Sequence, residues 1–289
     1  MPERPELDYI VPILARELDG ARITEVRVEQ PVVLRMTVLG DVRALLPGRT
    51  VRGVTRRGHF VMFRLDGAPP LELAVHPMLA GRFRVEAPGD RQHKTTAFVL
   101  GLVLEDGRVR ELRYRDDKQM GKVYLLDPAE RARVPRLGTI GVDVLGPGFS
   151  HAAFRALARK RRDQVKLFLL DKTQLDSLGN AYADEALFAA GVHPKARVRD
   201  LDDAALDRLH DAIVQVITEA SAEVARRAPP LDAKVRDFLK VRGRKGEPCV
   251  VCGERIRVAG VRGHDAFFCG VCQPDAKGRG FIDWRKARK

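Results

Sequence analysis

Two groups of residues in this 289-residue chain have types and spacings suited to chemistry. The first is Pro2-Glu3 with Pro5-Glu6 just behind it. Removal of Met1 ahead of a small second residue leaves Pro2 as a free secondary amine beside a carboxylate. An α-amino group has an ordinary pKa of roughly 7.7 to 8.0, so near neutrality part of it is unprotonated. Such an amine can attack a carbonyl-like carbon, as lysines do in Schiff-base enzymes, with Glu3 as the adjacent acid/base. Both prolines also suit the first turn of a helix, where the missing N–H costs little, and the stretch alone supports either reading.

The second group is Cys249, Cys252, Cys269 and Cys272, spaced C-x2-C-x16-C-x2-C. Two close pairs around one loop suit tetrahedral thiolate coordination of a structural zinc ion, with a redox role or an unmetallated hairpin as the competing readings. Four thiolate ligands leave no open position, so such an ion folds the module and takes no part in catalysis.

These groups must be positioned by the elements between them. Residues 6–18 carry a helical apolar pattern with Pro12 inside it and Gly20 at its end. Short β-prone runs follow at 22–28, 32–38, 50–55, 60–65, 71–75, 82–85, 97–104, 109–114 and 122–126, with hairpin turns expected at Asp66-Gly67 and Asp106-Gly107. One helix before so many strands predicts a β-sandwich or barrel with that helix packed on it. Residues 127–149 are rich in Pro, Gly and charge and read as a linker.

From residue 150 the period becomes helical, with helices expected over 150–159 and 163–172. Gly179 and Asn180 read as a turn and the cap of a third helix, and Asp200 as the cap of a long one ended by Pro229-Pro230. The fold class is therefore α+β and multidomain. The expected division is a β-sandwich over 1–133, a linker over 134–150, a helical domain over 151–240, and a zinc hairpin with a basic tail containing Trp284 over 241–289.

Net charge is +13. Twelve Lys/Arg against five Asp/Glu fall within residues 241–289, which points to nucleic acid as the partner. No apolar run approaches the roughly 18 residues of a membrane span, and no signal-peptide pattern follows Met1. A soluble, cytoplasmic, nucleoid-associated monomer is expected.

Taken together, Pro2-Glu3-x-Pro5-Glu6, the β-rich domain, Gly179-Asn180-x-Tyr182-Ala183-Asp184-Glu185, and Gly243-Arg-Lys-Gly-Glu-Pro-Cys249 opening a four-cysteine hairpin resemble the formamidopyrimidine-DNA glycosylase / endonuclease VIII family. The resemblance covers nearly the whole chain. It implies a helix-two-turns-helix domain and a bifunctional repair glycosylase acting on double-stranded damaged DNA. Pro2 would be the nucleophile, Glu3 the acid/base, Glu6 a supporting carboxylate, and Asn180 a grip on the phosphates beside the lesion.

Several positions depart from the family pattern. A lysine that touches phosphate and assists catalysis is replaced by His59 in Arg56-Arg57-Gly58-His59-Phe60. The phosphate-gripping arginine five residues before the third cysteine is His264, with Arg262 two residues earlier. The side chains that fill the gap left by the everted nucleotide become Leu79, Gln119 and Met120. Only Leu239 to Arg242 separate Arg236-Asp237-Phe238 from Gly243-Arg244, where the 8-oxoguanine branch has a longer lid loop. Oxidised pyrimidines, ring-opened purines, bulky adducts and abasic sites are therefore expected ahead of 8-oxoguanine. A non-catalytic binder of damaged DNA is the alternative, and a zinc-hairpin regulator unrelated to repair ranks last.

Overall fold

The computed structural model describes residues 2–176 and 178–275. Met1 and the basic tail with Trp284 lie outside the described residues. The chain divides into two compact units. The first holds residues up to Gly141 together with Glu219–Val235; the second holds Val142–Thr218 and the chain from Arg236 onward.

The first unit begins with α1 (Arg4–Leu18), two residues earlier than the apolar pattern indicates, and Pro12 lies within it. Leu7, Ile10, Leu14 and Leu18 form one buried stripe on this helix, at the spacing that puts side chains on a single face. The stripe packs into a core walled by two sheets. One sheet has the order β1-β7-β8-β6, formed by Arg22–Val28, Thr96–Val103, Val109–Asp116 and Gly81–Glu86. The other has the order β2-β9-β5-β4-β3, formed by Leu34–Met36, Lys122–Leu126, Leu71–His76, Phe60–Leu65 and Val51–Arg57. All neighbouring strands are antiparallel except β2 and β9, where Leu34 pairs with Val123. The expected sandwich is thus present. Both Asp-Gly pairs turn the chain, with Gly67 at φ 90° and Gly107 at φ 82°, values that favour glycine.

Three details differ from the expected elements. The run 32–38 opens as a 3-10 turn, Pro31–Val33, before the short β2. Residues 127–140 are no free linker: Val134 and Leu137 are buried with Phe60, Met62, Ala74 and Leu126 on the outer face of the second sheet. Their irregular spacing conceals this packing from any periodic reading. The segment after the long helix also returns to the first unit. Tyr9 donates to the Pro229 carbonyl at 2.9 Å, Leu231 packs on the sandwich core, and Asp232 pairs with Arg84 and Arg115, each at 3.5 Å.

The second unit contains β10 (Val142–Asp143) paired in parallel with β11 (Leu175–Asp176), then α3 (His151–Arg159), α4 (Val165–Leu170), α5 (Asn180–Ala189) and the leading part of α6 (Asp203–Arg227). The hairpin β12–β13 (Ile256–Val261 and His264–Cys269) belongs to it as well, so helical and zinc-hairpin segments form one body. Two caps differ from the expected ones. Asp202, not Asp200, accepts from the Ala205 N–H at 2.7 Å at the start of α6, because Asp200 ends a preceding 3-10 turn. Gly179, not Asn180, is the N-cap of α5. Among the described residues, no helix is long and apolar enough to cross a membrane.

Candidate nucleic-acid interface and reaction centre

Pro2 is buried directly ahead of α1. Glu3 is the N-cap of that helix, and the Glu6 carboxylate accepts the Glu3 backbone N–H at 2.8 Å while the Glu3 side chain accepts from the Glu6 backbone. This reciprocal capping box fixes both carboxylates relative to Pro2. Glu3 and Glu6 are only 3 % and 5 % exposed, and buried carboxylates of this kind require such hydrogen bonds. One turn further on, Asp8 pairs with Arg4 at 2.9 Å and Arg56 at 3.1 Å, which ties the helix start to the end of β3.

Gly58-His59 is the two-residue turn between β3 and β4, and Gly58 takes φ 60°. His59 is buried and stacks on His76, the last residue of β5, with ring centroids 6.3 Å apart and planes 20° apart. His76 in turn accepts the Met78 N–H at 3.2 Å and meets the edge of Phe60. His59 is therefore linked through His76 to the start of the loop that carries Leu79.

Leu79 and Met120 are among the large apolar side chains of this unit left exposed, at 56 % and 42 %. Gln119, also exposed, sits at φ 53°. Their two loops share one anchor. Asp116, fully buried, accepts from Lys118 at 3.0 Å and Gly121 at 2.5 Å. A Cβ on Gly81 would lie 2.4 Å from the Tyr114 hydroxyl oxygen, and one on Gly121 only 1.8 Å. Burial, followed by the Asp116 charge, pushes the Tyr114 hydroxyl well above its usual range, so it stays neutral. The chain thus presents Leu79, Gln119 and Met120 on loops clamped about the same tyrosine.

In the second unit Asn180 begins α5 and donates through Nδ2 to Asp265 Oδ1 at 2.7 Å. Asp265 also receives Arg242, with both oxygens at 3.1 Å. Arg242 continues to Asp184 at 2.9 Å and lies over the Phe267 ring at 4.7 Å. Lys166 and Asp184, both fully buried, form an ion pair, and Lys166 also donates to the Asp265 carbonyl at 2.6 Å. Burial lowers the Lys166 pKa. Glu185 accepts three backbone N–H groups, from Lys240, Val241 and Arg242.

None of Lys166, Arg242 and Asp265 stands out in the sequence, since each looks like an ordinary surface charge. The available signal was Asp184-Glu185 inside α5, where Ala181, Tyr182, Ala183, Ala186 and Leu187 are all buried. Two carboxylates in such a helix must find buried partners.

The hairpin tip is Arg262-Gly263, with φ 42° and 84°, the primed geometry that matches strand twist. Arg262 lines an open pocket of about 580 Å³ with Arg162, Lys195 and Arg197, relieved by one acid, Asp163. His264 is exposed at the first position of β13, opposite Val261. It is Asp265 that meets Asn180; Arg262 faces the basic pocket.

At the base of the hairpin the four cysteine sulfurs lie within 4.8 Å of one another. Cys249 and Cys272 are 3.8 Å apart, and Cys252 and Cys269 3.4 Å. Zn–S bonds of about 2.3 Å in a tetrahedron give sulfur separations near 3.8 Å, whereas a disulfide needs about 2.05 Å. The Val251 and Cys272 N–H groups point at Cys249 and Cys269 sulfurs, at 3.4 and 3.5 Å. Burial opposes ionisation of Cys249, yet the Cys252 and Val251 N–H groups bring its pKa down to about 7. Burial and the neighbouring sulfurs push Cys272 up. Four thiols this close ionise together only around a cation, and the residues fit a metal.

The comparisons with known proteins agree with this geometry. Residues 1–123 match the formamidopyrimidine-DNA glycosylase N-terminal domain, 140–227 its H2TH domain, and 246–274 a zinc finger found in FPG and IleRS. The formamidopyrimidine-DNA glycosylase of Geobacillus kaustophilus is 35 % identical over 94 % of this chain and 100 % of its own length. That of Symbiobacterium thermophilum is 33 % identical over 96 % and 91 %. The Lactococcus lactis Fpg, solved with DNA containing an oxidised pyrimidine, superposes with a TM-score of 0.85 at 26 % identity, covering 95 % of this chain and 100 % of that one. The chain belongs to the formamidopyrimidine-DNA glycosylase / endonuclease VIII family of DNA-repair glycosylases.

Proposed function

We propose that this chain is a bifunctional DNA glycosylase and AP lyase of base excision repair, with Pro2 as nucleophile. The observation that carries the reading is the capping box that fixes Glu3 and Glu6 immediately behind a buried Pro2. The free amine of Pro2 attacks C1′ of a damaged nucleotide, and the glycosidic C–N bond breaks as the base leaves. Glu3 protonates the ring oxygen, opening the sugar to an iminium. Loss of a C2′ proton then expels the 3′ phosphate by β-elimination.

The target nucleotide must leave the duplex, at a cost of a few kcal/mol. Leu79 on one loop and the adjacent Gln119 and Met120 on the other are suited to fill the gap it leaves. Asn180, Arg262 and His264 supply phosphate contacts, and His59 supports the floor of the site through His76. One structural Zn2+ held by Cys249, Cys252, Cys269 and Cys272 shapes the hairpin.

The short connection 236–242 is tethered by Glu185 and has no length to spare for a lid over an everted purine. We therefore assign oxidised pyrimidines, ring-opened purines, bulky adducts and abasic sites as substrates ahead of 8-oxoguanine. The oxidised pyrimidine in the DNA bound to the Lactococcus lactis relative supports that lesion as one substrate class for this fold. A non-catalytic or weakly catalytic binder of damaged DNA is the second reading, favoured by His59 and His264 where the family pattern has a lysine and an arginine.

The test is incubation with duplexes carrying an abasic site, dihydrothymine, formamidopyrimidine or 8-oxoguanine in the presence of borohydride. A covalent adduct that Pro2→Gly abolishes is expected. Damaged DNA that binds but never yields an adduct would overturn the enzymatic reading and leave the binder.

A further inference from the structure

Helices α3 and α6 are joined within the second unit by a regular ladder. Arg159 pairs with Asp203, Arg155 with Asp207 at 2.7 Å, and His151 with Asp211 at 2.7 Å. Each step is four residues on both helices, so the ladder lines one face of each. By that pattern His151–Asp211 would be an ordinary third rung. His210 makes it different.

The His210 ring is buried, stacked on Phe149 at 4.5 Å and against His151 at 4.1 Å. Its Nε2 lies 3.0 Å from the Phe149 carbonyl oxygen. A carbonyl only accepts, so Nε2 carries the hydrogen. In the neutral ring Nδ1 then holds a lone pair, and it points at Asp211 Oδ1 from 3.0 Å. The same oxygen meets His151 Nε2. Two imidazole nitrogens converge on one carboxylate, and the buried one confronts it as acceptor against acceptor. A cation between them resolves the conflict, either a proton on His210 or a metal ion.

The arrangement favours a metal. The donor atoms of His151, His210 and Asp211 lie within 4.8 Å of one another. Ligand bonds of about 2.0 to 2.2 Å in a tetrahedron place adjacent donors roughly 3.3 to 3.6 Å apart, so an ion would widen the 2.7 and 3.0 Å separations by about half an ångström, through rotation of the exposed His151 and Asp211 side chains. Metal-bound histidines commonly donate their other ring N–H to a backbone carbonyl, which fixes tautomer and orientation, as Phe149 does for His210. Asp211, exposed on α6, supplies a carboxylate to the cluster.

We propose that His151, His210 and Asp211 form a second metal site, distinct from the four-cysteine site, which binds one exchangeable divalent transition cation of the zinc type. Two imidazoles and a carboxylate select such ions over Mg2+ or Ca2+. His151 and Asp211 are 46 % and 65 % exposed at their side chains, so the remaining coordination positions open to water and the ion exchanges with solvent. Its bound form cross-links the first turn of α3 to α6.

The test uses tag-free, full-length protein with its cysteine site loaded, dialysed against a weak chelator and titrated with Co2+. One further Co2+ per chain is expected, with weak visible bands, no sulfur-to-metal charge transfer and a rise in Tm. His151→Ala and Asp211→Asn should each weaken binding about tenfold or more. Both positions are exposed, so their metal-free Tm should stay near wild type, and Asp207→Asn, one rung away, should bind Co2+ normally. No saturable binding beyond the cysteine site, or equal binding by wild type and His151→Ala, overturns the site and leaves a protonated His210 as the bridge.

Discussion

The Glu185 carboxylate accepts the Val241 backbone N–H at 2.9 Å, and it takes those of Lys240 and Arg242 at 2.8 Å as well. One side chain of α5 thereby caps the whole approach to the zinc hairpin. Glu185→Ala would leave three N–H groups without their acceptor inside a buried site. Hydrogen bonds to charged groups contribute about 1.5 to 3 kcal/mol each, not additively. A loss on the order of 3 kcal/mol is expected in denaturant unfolding, with Glu185→Gln retaining part of the stability.

In the second unit the Asp265 carboxylate accepts the Asn180 Nδ2–H at 2.7 Å and so occupies the amide proposed to grip a phosphate. Its charge is compensated there by Arg242, which offsets the burial that would otherwise raise its pKa. Asp265→Asn removes a negative charge beside Asn180, while Arg242 keeps its pair with Asp184. Binding to an abasic duplex should tighten about fivefold, equivalent to about 1 kcal/mol, and its salt dependence should steepen. Unchanged affinity and salt dependence would place the phosphates elsewhere.

In the sandwich, Glu111 lies between Arg27 at 2.9 Å and Arg113 at 2.6 Å. Burial alone would raise its pKa, but hydrogen bonds from Arg27 and Arg113 overcome this and hold it below the ordinary range. A lowered carboxylate contributes stability above its unfolded pKa and loses it as pH falls through its folded one. The first unit should therefore lose stability as pH falls below the ordinary glutamate pKa of about 4.3. Glu111→Gln should be less stable at pH 7 and show a shallower acid limb in thermal melts at successive pH values.

Removing the hairpin metal should leave four thiols within 4.8 Å of one another without a shared cation. Metal binding to such modules is folding free energy. Strong chelation, or Cys269→Ser, should abolish protection of the β12–β13 amides in hydrogen exchange while the sandwich amides stay protected. Equal protection with and without metal would show that the hairpin is held by packing alone.

The candidate chemistry-bearing residues are conspicuous because their types and spacings are local: Pro2-Glu3, the cysteine quartet and the Asn180 segment need no fold to be noticed. Alternation and helical period likewise disclosed the sandwich, α1 and the long helix. The caps were misplaced by one or two residues, because several Asp, Asn and Gly residues near a helix start satisfy the same rule and only backbone geometry selects among them. Val134 and Leu137 were invisible as core residues, since packing on an outer sheet face follows no period.

Sequence alone determined the family and singled out the candidate reaction-centre residues and the cysteine quartet, because each rests on local residue type and order. Tertiary structure alone decided what the charges do. Lys166, Asp184, Arg242 and Asp265 are scattered along the chain, and whether a charge is solvated, buried in a pair or turned toward a ligand depends on neighbours brought in by folding. The same holds for His151, His210 and Asp211, which acquire a shared centre only when α3 lies along α6.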